Sequence, residues 1–280
     1  MNTEATTGTA LEVRREQGFW FARLNRPAKR NALSDQSVQG LAELFDTVAA
    51  DSEARALLLW GAGGNFSAGA DFDGFLRLMS ADADTDAGED SIARYNRAFG
   101  SMLEKLVALP VPTLAVVRGA AMGGGCGLAA ACDHVLAAED AAFAMPEVTL
   151  GVAPAQIAPF VVRRIGATRA RWLMLSGERL DAGGAFELGL ADQVSAAPQL
   201  RTAVNRALAQ LALAEPGALH ATKRIVDRSI QAGLAESLDA AAREFAHLLR
   251  NGSAREGIAA VRERRTPTWR IAAPELPEFD

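Results

Sequence analysis

The feature that most constrains the fold is a series of short, uninterrupted apolar runs, each followed by a turn rich in glycine. Residues 56–60 form one such run, with glycines at 61, 63 and 64 after it, and residues 113–117 form another, followed by a turn at 119–125. Runs of this kind are typical of strands that are covered on both faces, as in parallel sheets. Helical patterns lie between them, so we predict an α/β fold with a parallel sheet.

The first third of the chain also shows local signals for individual elements. Residues 11–13 and 19–24 are predicted to form a hairpin. Ser34 is predicted to cap a helix that ends near Ala50, because apolar residues recur there at a spacing of three and four. Residues 80–91 carry five acidic side chains and no large apolar one, which favours a mobile surface loop.

The remainder of the chain changes from short elements to long helices. Further elements are predicted at 126–132 (a helix of small residues) and at 135–137, 142–144 and 148–149 (strands). From about 154 to 261 the pattern is mostly helical, and the last residues, from Thr266, are expected to be extended. We therefore divide the chain into a core at 1–200 and a C-terminal helical region at 201–280.

Composition excludes several classes of function. The net charge is −5, whereas proteins that bind nucleic acid through bulk charge are basic. Two cysteines and three histidines, without an HExxH or CxxC pattern, make a catalytic metal improbable. A glycine-rich uncharged run of 14 residues at 119–132 is shorter than the ~20 residues of a membrane span. We expect a cytoplasmic protein that binds neither nucleic acid nor membrane.

Common nucleotide and hydrolase motifs fail on inspection. A GxGxxG pattern that starts at Gly123 has Leu128 in its sixth position, and no Gly-Lys-Ser/Thr sequence exists. A GxSxG pattern around Ser67 has Asn65 in place of its first glycine. These failures argue against a dinucleotide turn, a phosphate-binding loop and a serine hydrolase.

Two turns of small residues and one carboxylate remain as candidate chemistry. The turns lie at 65–71 and 121–125, and backbone N–H groups of two converging turns form an oxyanion hole. Either turn alone is better explained as a tight connection. Glu147 lies in an apolar stretch after a proline, which suits proton transfer but also an exposed strand edge.

Taken together, these segments resemble the crotonase, or enoyl-CoA hydratase/isomerase, superfamily. The resemblance extends over about residues 11–268, with its motifs in the expected order. The motifs are NRPAKRNAL (25–33), FSAGAD (66–71), PTLAVVRG (112–119), GGGCGLAAACD (123–133), PEVTLG (146–151), GLAD (189–192) and SAREG (253–257).

The resemblance implies a crotonase-like spiral of ββα units with C-terminal helices that pack subunits into trimers or hexamers. It also implies an acyl-CoA thioester as substrate and no cofactor other than the coenzyme A of that substrate. The thioester oxygen is then held by the backbone N–H groups of Ala68 and Gly124, which stabilise an enolate. Glu147 is the implied catalytic residue. Other implied contacts with substrate are made by Gly69, Ala70, Asp71 and Gly127, and with coenzyme A by Lys29 and Arg30.

One position departs from the straight-chain hydratases of the superfamily, which use two glutamates. Glu147 corresponds to the second, but the first is replaced by Gly127. We expect the missing side chain to leave a gap beside the reacting carbons. The segment 150–162 lacks a polyglycine turn and resembles hydratases of methylglutaconyl-type and isohexenylglutaconyl-type CoA esters, so Arg163 and Arg164 are candidates for a distal carboxylate.

Three functions therefore stay open. The first is hydration of a branched 2-enoyl-CoA, with Glu147 as acid and base. The second is isomerisation of a 3-enoyl-CoA, in which Glu147 alone moves the proton between C2 and C4. The third belongs to another class, a non-catalytic acyl-CoA-binding protein, although such a protein has no need of a carboxylate in an apolar setting.

Overall fold

The computed structural model describes residues 10–73, 76 and 90–279. The strands within them are β1 Leu11–Glu16, β2 Phe19–Leu24, β3 Ala56–Gly61, β4 Thr113–Val117, β5 Ala120–Met122, β6 His134–Ala138, β7 Ala142–Ala144, β8 Arg179–Asp181 and β9 Gln193–Ser195. The α-helices with bounds in these residues are α1 Asp35–Ala50, α2 Ser91–Ala108, α3 Gly124–Ala130, α4 Ala158–Ile165, α5 Ala167–Ser176, α6 Ala182–Leu188, α7 Ala197–Leu213, α8 Pro216–Gln231, α9 Leu234–Asn251 and α10 Ala254–Glu263.

The strands form two sheets. The larger has the order β1-β2-β3-β4-β6-β9 and is parallel except for the β1–β2 hairpin, which confirms the predicted α/β class. The smaller has the order β5-β7-β8, with β5 parallel to β7 and β8 antiparallel. Single bridges join Ser67 to Ala121 and Leu33 to Ala70, and they extend the smaller sheet into the predicted turn at 65–71.

Side chains of the larger sheet alternate between two hydrophobic cores. Leu57 and Leu59 of β3 face the core formed with α1, α2 and α3, whereas Leu58 and Trp60 face the core formed with α7. All six residues of β3 are buried, as an apolar run covered on both faces requires. The carboxyl ends of β3 and β4 therefore emerge from a sheet that is fixed on both sides.

Most predicted elements are present, with several corrections. The Ser34 side chain accepts the N–H of Ser37 at the start of α1, which ends at Ala50 as predicted. The strand predicted at 148–149 is wrong, because these residues lie in a 3-10 helix, Pro146–Leu150. The helix predicted at 126–132 begins at 124 and ends at 130, and β5 was not predicted. Residues 80–89 of the predicted acidic loop lie outside the described residues.

The C-terminal part is helical, and its tail returns to the larger sheet. Helix α7 crosses the predicted domain boundary at 200 and packs on the sheet, so the division into two regions stays a prediction. The guanidinium of Arg201 donates to the carbonyls of Leu276 and Pro277, and Leu276 is buried in the second core. None of the helices in the described part of the chain has the length and apolar character needed to cross a membrane.

Candidate active site

The two turns singled out in the sequence lie against each other. The Ser67 N–H donates to the Ala120 carbonyl (2.8 Å), and the Met122 N–H donates to the Ser67 carbonyl (2.9 Å). A Cβ on Gly69, where φ is +90°, would lie 2.6 Å from the Met122 oxygen and 3.4 Å from the Gly124 nitrogen. Glycine is therefore required at 69, and the close approach brings the two candidate sources of backbone donors together.

A buried asparagine holds the first turn in place. The Asn31 side-chain nitrogen donates to the carbonyls of Ala62 (2.8 Å) and Asn65 (2.7 Å), and its oxygen accepts the Arg26 N–H (2.9 Å). The Asn31 carbonyl accepts the Ser67 hydroxyl (2.8 Å). Asn31 has φ +56°, a region that asparagine tolerates better than most residues. In the sequence, Asn31 shows only that it lies in a turn region. Its hydrogen-bond partners Ala62, Asn65 and Ser67 are distant in sequence, so its role could not be predicted.

The two predicted oxyanion donors differ in their hydrogen bonding. Gly124 is the first residue of α3, so its N–H has no acceptor within the helix. The Ala68 N–H, by contrast, donates to the Arg30 carbonyl (2.8 Å). The Ala68 N–H is therefore already paired in this structure, and its role as an oxyanion donor stays a prediction. The cause is the left-handed backbone of Arg30, φ +48°, which turns its carbonyl toward the 65–71 turn.

The remaining predicted residues of this turn have structural partners. Asp71 forms an ion pair with Arg26 (2.8 Å). Burial raises the pKa of Asp71, but the hydrogen bond from Arg26, the Asp73 N–H and nearby positive charge together bring it below its ordinary value. Ala70 bridges to Leu33 through the backbone.

The two candidate coenzyme A residues lie at the surface of the neighbouring segment. Lys29 is exposed and pairs with Asp73 at 3.3 Å. Arg30 is also exposed, and its carbonyl is the acceptor of the Ala68 N–H. Both side chains are thus on the chain segment that contacts the first turn, on its solvent side.

Glu147, in the 3-10 helix Pro146–Leu150, packs against the start of α3 and is half-buried. Its Oε1 is 2.8 Å from the point where a Cβ would stand on Gly123, the residue before Gly124. Its Oε2 is buried and has no hydrogen-bond partner among the described residues. Burial raises the pKa of Glu147 above its ordinary value, and the hydrogen bond from its own N–H lowers it only in part. A carboxyl group in this state is suited to accept and return a proton.

The expected gap at Gly127 does not exist. A Cβ on Gly127 would lie 2.2 Å from Cγ2 and 2.6 Å from Cβ of Ile157, which is buried. The side chain of Ile157 thus fills the space that Gly127 leaves, and a contact of Gly127 with substrate stays a prediction. Phe99 covers Gly124 in a similar way, with Cζ 3.2 Å from the position of a Cβ. Neither Phe99 nor Ile157 was identified from the sequence, because nothing local shows which side chain packs on a glycine.

The chain also matches a known protein family in sequence. The sequence model of the family described as Enoyl-CoA hydratase/isomerase matches residues 14–271. The chain belongs to this family. It is therefore an enzyme of the crotonase superfamily, with a crotonase-like α/β fold and a C-terminal helical region.

Individual relatives match this chain over nearly its whole length. The probable enoyl-CoA hydratase echA8 of Mycobacterium bovis is 33% identical, covering 94% of this chain and 98% of that protein. The 2,3-dehydroadipyl-CoA hydratase of Escherichia coli is 32% identical, covering 93% and 98%. A crystal structure of an enoyl-CoA hydratase/isomerase from Marinobacter aquaeolei has a TM-score of 0.90 and 39% identity, covering 94% and 99%.

The two arginines predicted to meet a distal carboxylate are engaged elsewhere in this crotonase-family chain. Arg164 donates to the carbonyls of Cys132 (2.8 Å), Gly189 and Leu190, and it pairs with Asp192. Arg164 therefore ties α4 to neighbouring loops, and its assignment to substrate is wrong. A separate ion pair joins Arg163 to Asp227.

The two cysteines, Cys126 and Cys132, are free and buried. Burial, together with the nearby charge of Glu147, raises the pKa of Cys126 to about 12. Burial also raises the pKa of Cys132 to about 12. Neither thiol is ionised at neutral pH, so both are small core residues and not nucleophiles. Within the described residues, no three His, Cys, Asp or Glu side chains are grouped as metal ligands.

Proposed function

We propose that this enzyme hydrates a 2-enoyl-CoA branched at C3, of the 3-methylglutaconyl or isohexenylglutaconyl type, with Glu147 as its acid and base. The observation that carries the proposal is the carboxylate of Glu147, which has a buried oxygen without a partner in the described chain and lies beside the first residues of α3. The hydratase names of the Mycobacterium bovis and Escherichia coli relatives support the reaction type.

In this reaction, water adds across the C2–C3 double bond. The Glu147 carboxylate accepts a proton from water while the water oxygen bonds to C3 and the double-bond electrons move onto the thioester as an enolate. The resulting carboxylic acid then returns that proton to C2, which gives the 3-hydroxyacyl-CoA and restores Glu147. A raised pKa assists the first step, because it makes the Glu147 carboxylate a stronger base toward water.

The enolate oxygen is assigned to the N–H of Gly124, at the positive end of α3. The second proposed donor is the Ala68 N–H, which exchanges its Arg30 carbonyl for the thioester oxygen when substrate binds. A donor aimed at developing charge contributes about 3–4 kcal/mol to such a transition state. Gly69 and Ala70 lie beside this position, and Lys29 and Arg30 are the proposed contacts of the coenzyme A nucleotide.

Isomerisation of a 3-enoyl-CoA is the second candidate, and the contact between Ile157 and Gly127 favours it. An apolar group at this place gives no help in orienting water, whereas a single carboxylate is sufficient to carry a proton from C2, through the thioester enolate, to C4. Neither reaction requires a cofactor beyond the coenzyme A of the substrate. We also propose a homotrimer or hexamer as the working form.

The test compares purified wild type and Glu147→Gln with crotonyl-CoA, a 3-enoyl-CoA and 3-methylglutaconyl-CoA, followed by thioester absorbance. Hydration of the branched thioester, reduced at least ~100-fold in the variant, is the expected result. Turnover of the 3-enoyl-CoA alone would support the isomerase. Binding of all three without turnover would instead indicate the non-catalytic alternative.

A further inference from the structure

Three glycines at the start of α3 are each covered by a side chain from another segment. Glu147 lies on Gly123, Phe99 lies on Gly124, and Ile157 lies on Gly127. The contact of Ile157 is the tightest, because a Cβ on Gly127 would be 2.2 Å from it. Ile157 and any side chain at 127 therefore compete for the same volume.

Ile157 and Glu147 cover two glycines that are four residues apart at the start of α3. The Gly127 N–H donates to the Gly123 carbonyl (3.0 Å), so the two glycines are one helical turn apart. The side chains that cover them, one a carboxylate and the other a branched alkyl group, therefore contact α3 at residues about 6 Å apart along its axis. Ile157 thus occupies space about one helical turn from the residue that the proposed acid and base covers.

The segment that carries Ile157 is held in position on a second side. The Oε1 atom of Gln156 lies 2.0 Å from the place of a Cβ on Gly100, so this glycine on α2 admits the Gln156 side chain. Ile157 itself precedes α4, and its carbonyl accepts the N–H of Val161 (3.1 Å). Residues 156 and 157 thus pack against α2 and α3, respectively.

We propose that Ile157 is a specificity-determining residue that limits the size of the substituent on C3 of the acyl group. The inference rests on the proposed function for its substrate class. Of the two branched types named above, it selects the small one. A methyl branch fits beside Ile157, whereas a long alkyl branch directed toward Gly127 collides with it.

The experiment measures binding, so that it does not depend on turnover. Dissociation constants of saturated thioesters are determined by calorimetry for hexanoyl-CoA and 3-propylhexanoyl-CoA, which differ only in the branch, with wild type, Ile157→Ala and Ile165→Ala. Ile165 is a buried isoleucine at the last position of α4, the helix that begins directly after Ile157, and serves as the matched control. Wild type should prefer the unbranched thioester, and Ile157→Ala should reduce that preference at least ~10-fold, the usual scale of a few carbons in an apolar pocket. Ile165→Ala should not change it.

The outcomes separate this inference from the proposed function. Thioester binding with an unchanged preference in Ile157→Ala would overturn the role of Ile157 and leave the acyl-CoA function intact. Failure of wild type to bind any thioester would overturn both. If circular dichroism shows that Ile157→Ala is unfolded, Ile157→Val replaces it. This variant should shift the preference in the same direction by a smaller factor, and an unchanged preference would again contradict the inference.

Discussion

The carboxylate of Glu147 packs directly on Gly123, with Oε1 2.8 Å from the position of the absent Cβ. Gly123 has φ +49° and ψ −119°, a combination that residues with a side chain avoid. The orientation of Glu147 thus depends on the lack of a side chain at a residue 24 positions away.

Gly123→Ala should therefore impair catalysis although Glu147 is unchanged. The added methyl displaces the carboxylate, and the backbone strain lowers the free energy of unfolding by about 1–3 kcal/mol. Urea unfolding and kcat measure the two effects. Gly166→Ala is the control, because Gly166 also has a positive φ but nothing within 4 Å of its Cβ position. Equal losses of kcat in both variants would contradict a specific effect on Glu147.

The raised pKa of Glu147 predicts how stability changes with pH. Because the folded state raises this pKa above the ordinary value of about 4.3, ionisation costs stability, and the native state gains stability as pH falls through the folded pKa. Glu147→Gln, which cannot ionise, should be at least as stable as wild type at pH 7. Its advantage should shrink as pH is lowered toward 4.3. Thermal melting of both proteins over this range measures the difference, and a wild type more stable at pH 7 would be inconsistent with it.

Replacement of a single backbone donor tests the oxyanion assignment. Gly124→Pro removes the N–H at the first position of a helix, where proline is accepted. Gly124→Ala adds a similar Cβ, close to Phe99, but keeps the N–H, so it is the matched control. We expect kcat of the proline variant to be ~100-fold to 1,000-fold below that of the alanine variant. Similar values of kcat for two folded variants would place the thioester oxygen elsewhere.

Local signals in the sequence were sufficient for much of the fold. Ser34 followed by apolar residues at helical spacing defined α1, and the uninterrupted run at 56–60 identified a strand buried on both faces. The two turns of the site followed from their small residues. These features could be predicted because each depends on residues near in sequence.

The contacts that shape the site could not be predicted in this way. Ile157 packs on Gly127 across 30 residues, and neither sequence neighbourhood indicates the other. The pairing of the Ala68 N–H depends on a positive φ at Arg30, an arginine for which that conformation is uncommon. The sequence shows two adjacent positive charges at 163–164 but not which groups they bind. Arg164 donates to backbone carbonyls that only the folded chain brings together.

Arg164 should matter for stability and not for substrate selection. Arg164→Ala removes the donor to three carbonyls and Asp192, which should cost at least about 1.5–3 kcal/mol in urea unfolding. Arg163→Ala removes a partly exposed ion pair and should cost about 0–1 kcal/mol. The ratio of KM values for acyl-CoA substrates with and without a distal carboxylate should be the same in both variants. A selective rise in KM for the carboxylated substrate would restore Arg164 as a substrate contact.

The C-terminal helices predict self-association. Phe245 on α9 and Val261 on α10 are 63% and 77% exposed in the single chain, although both are large and apolar. We expect light scattering to give a multiple of three chains. Val261→Asp should reduce the assembled fraction if this face lies between subunits. A monomeric wild type at micromolar concentration would contradict the family architecture.

The tail across the larger sheet has a consequence for biosynthesis. Arg118 donates to the carbonyl of Phe279, and Leu276 joins Trp60 and Leu114 in the second core. One apolar face of β2, β3 and β4 is therefore not fully covered until more than 200 residues after β2 have been synthesised. On the ribosome, that face is a surface on which nascent chains can aggregate or a chaperone can bind until residues 276–279 have been made.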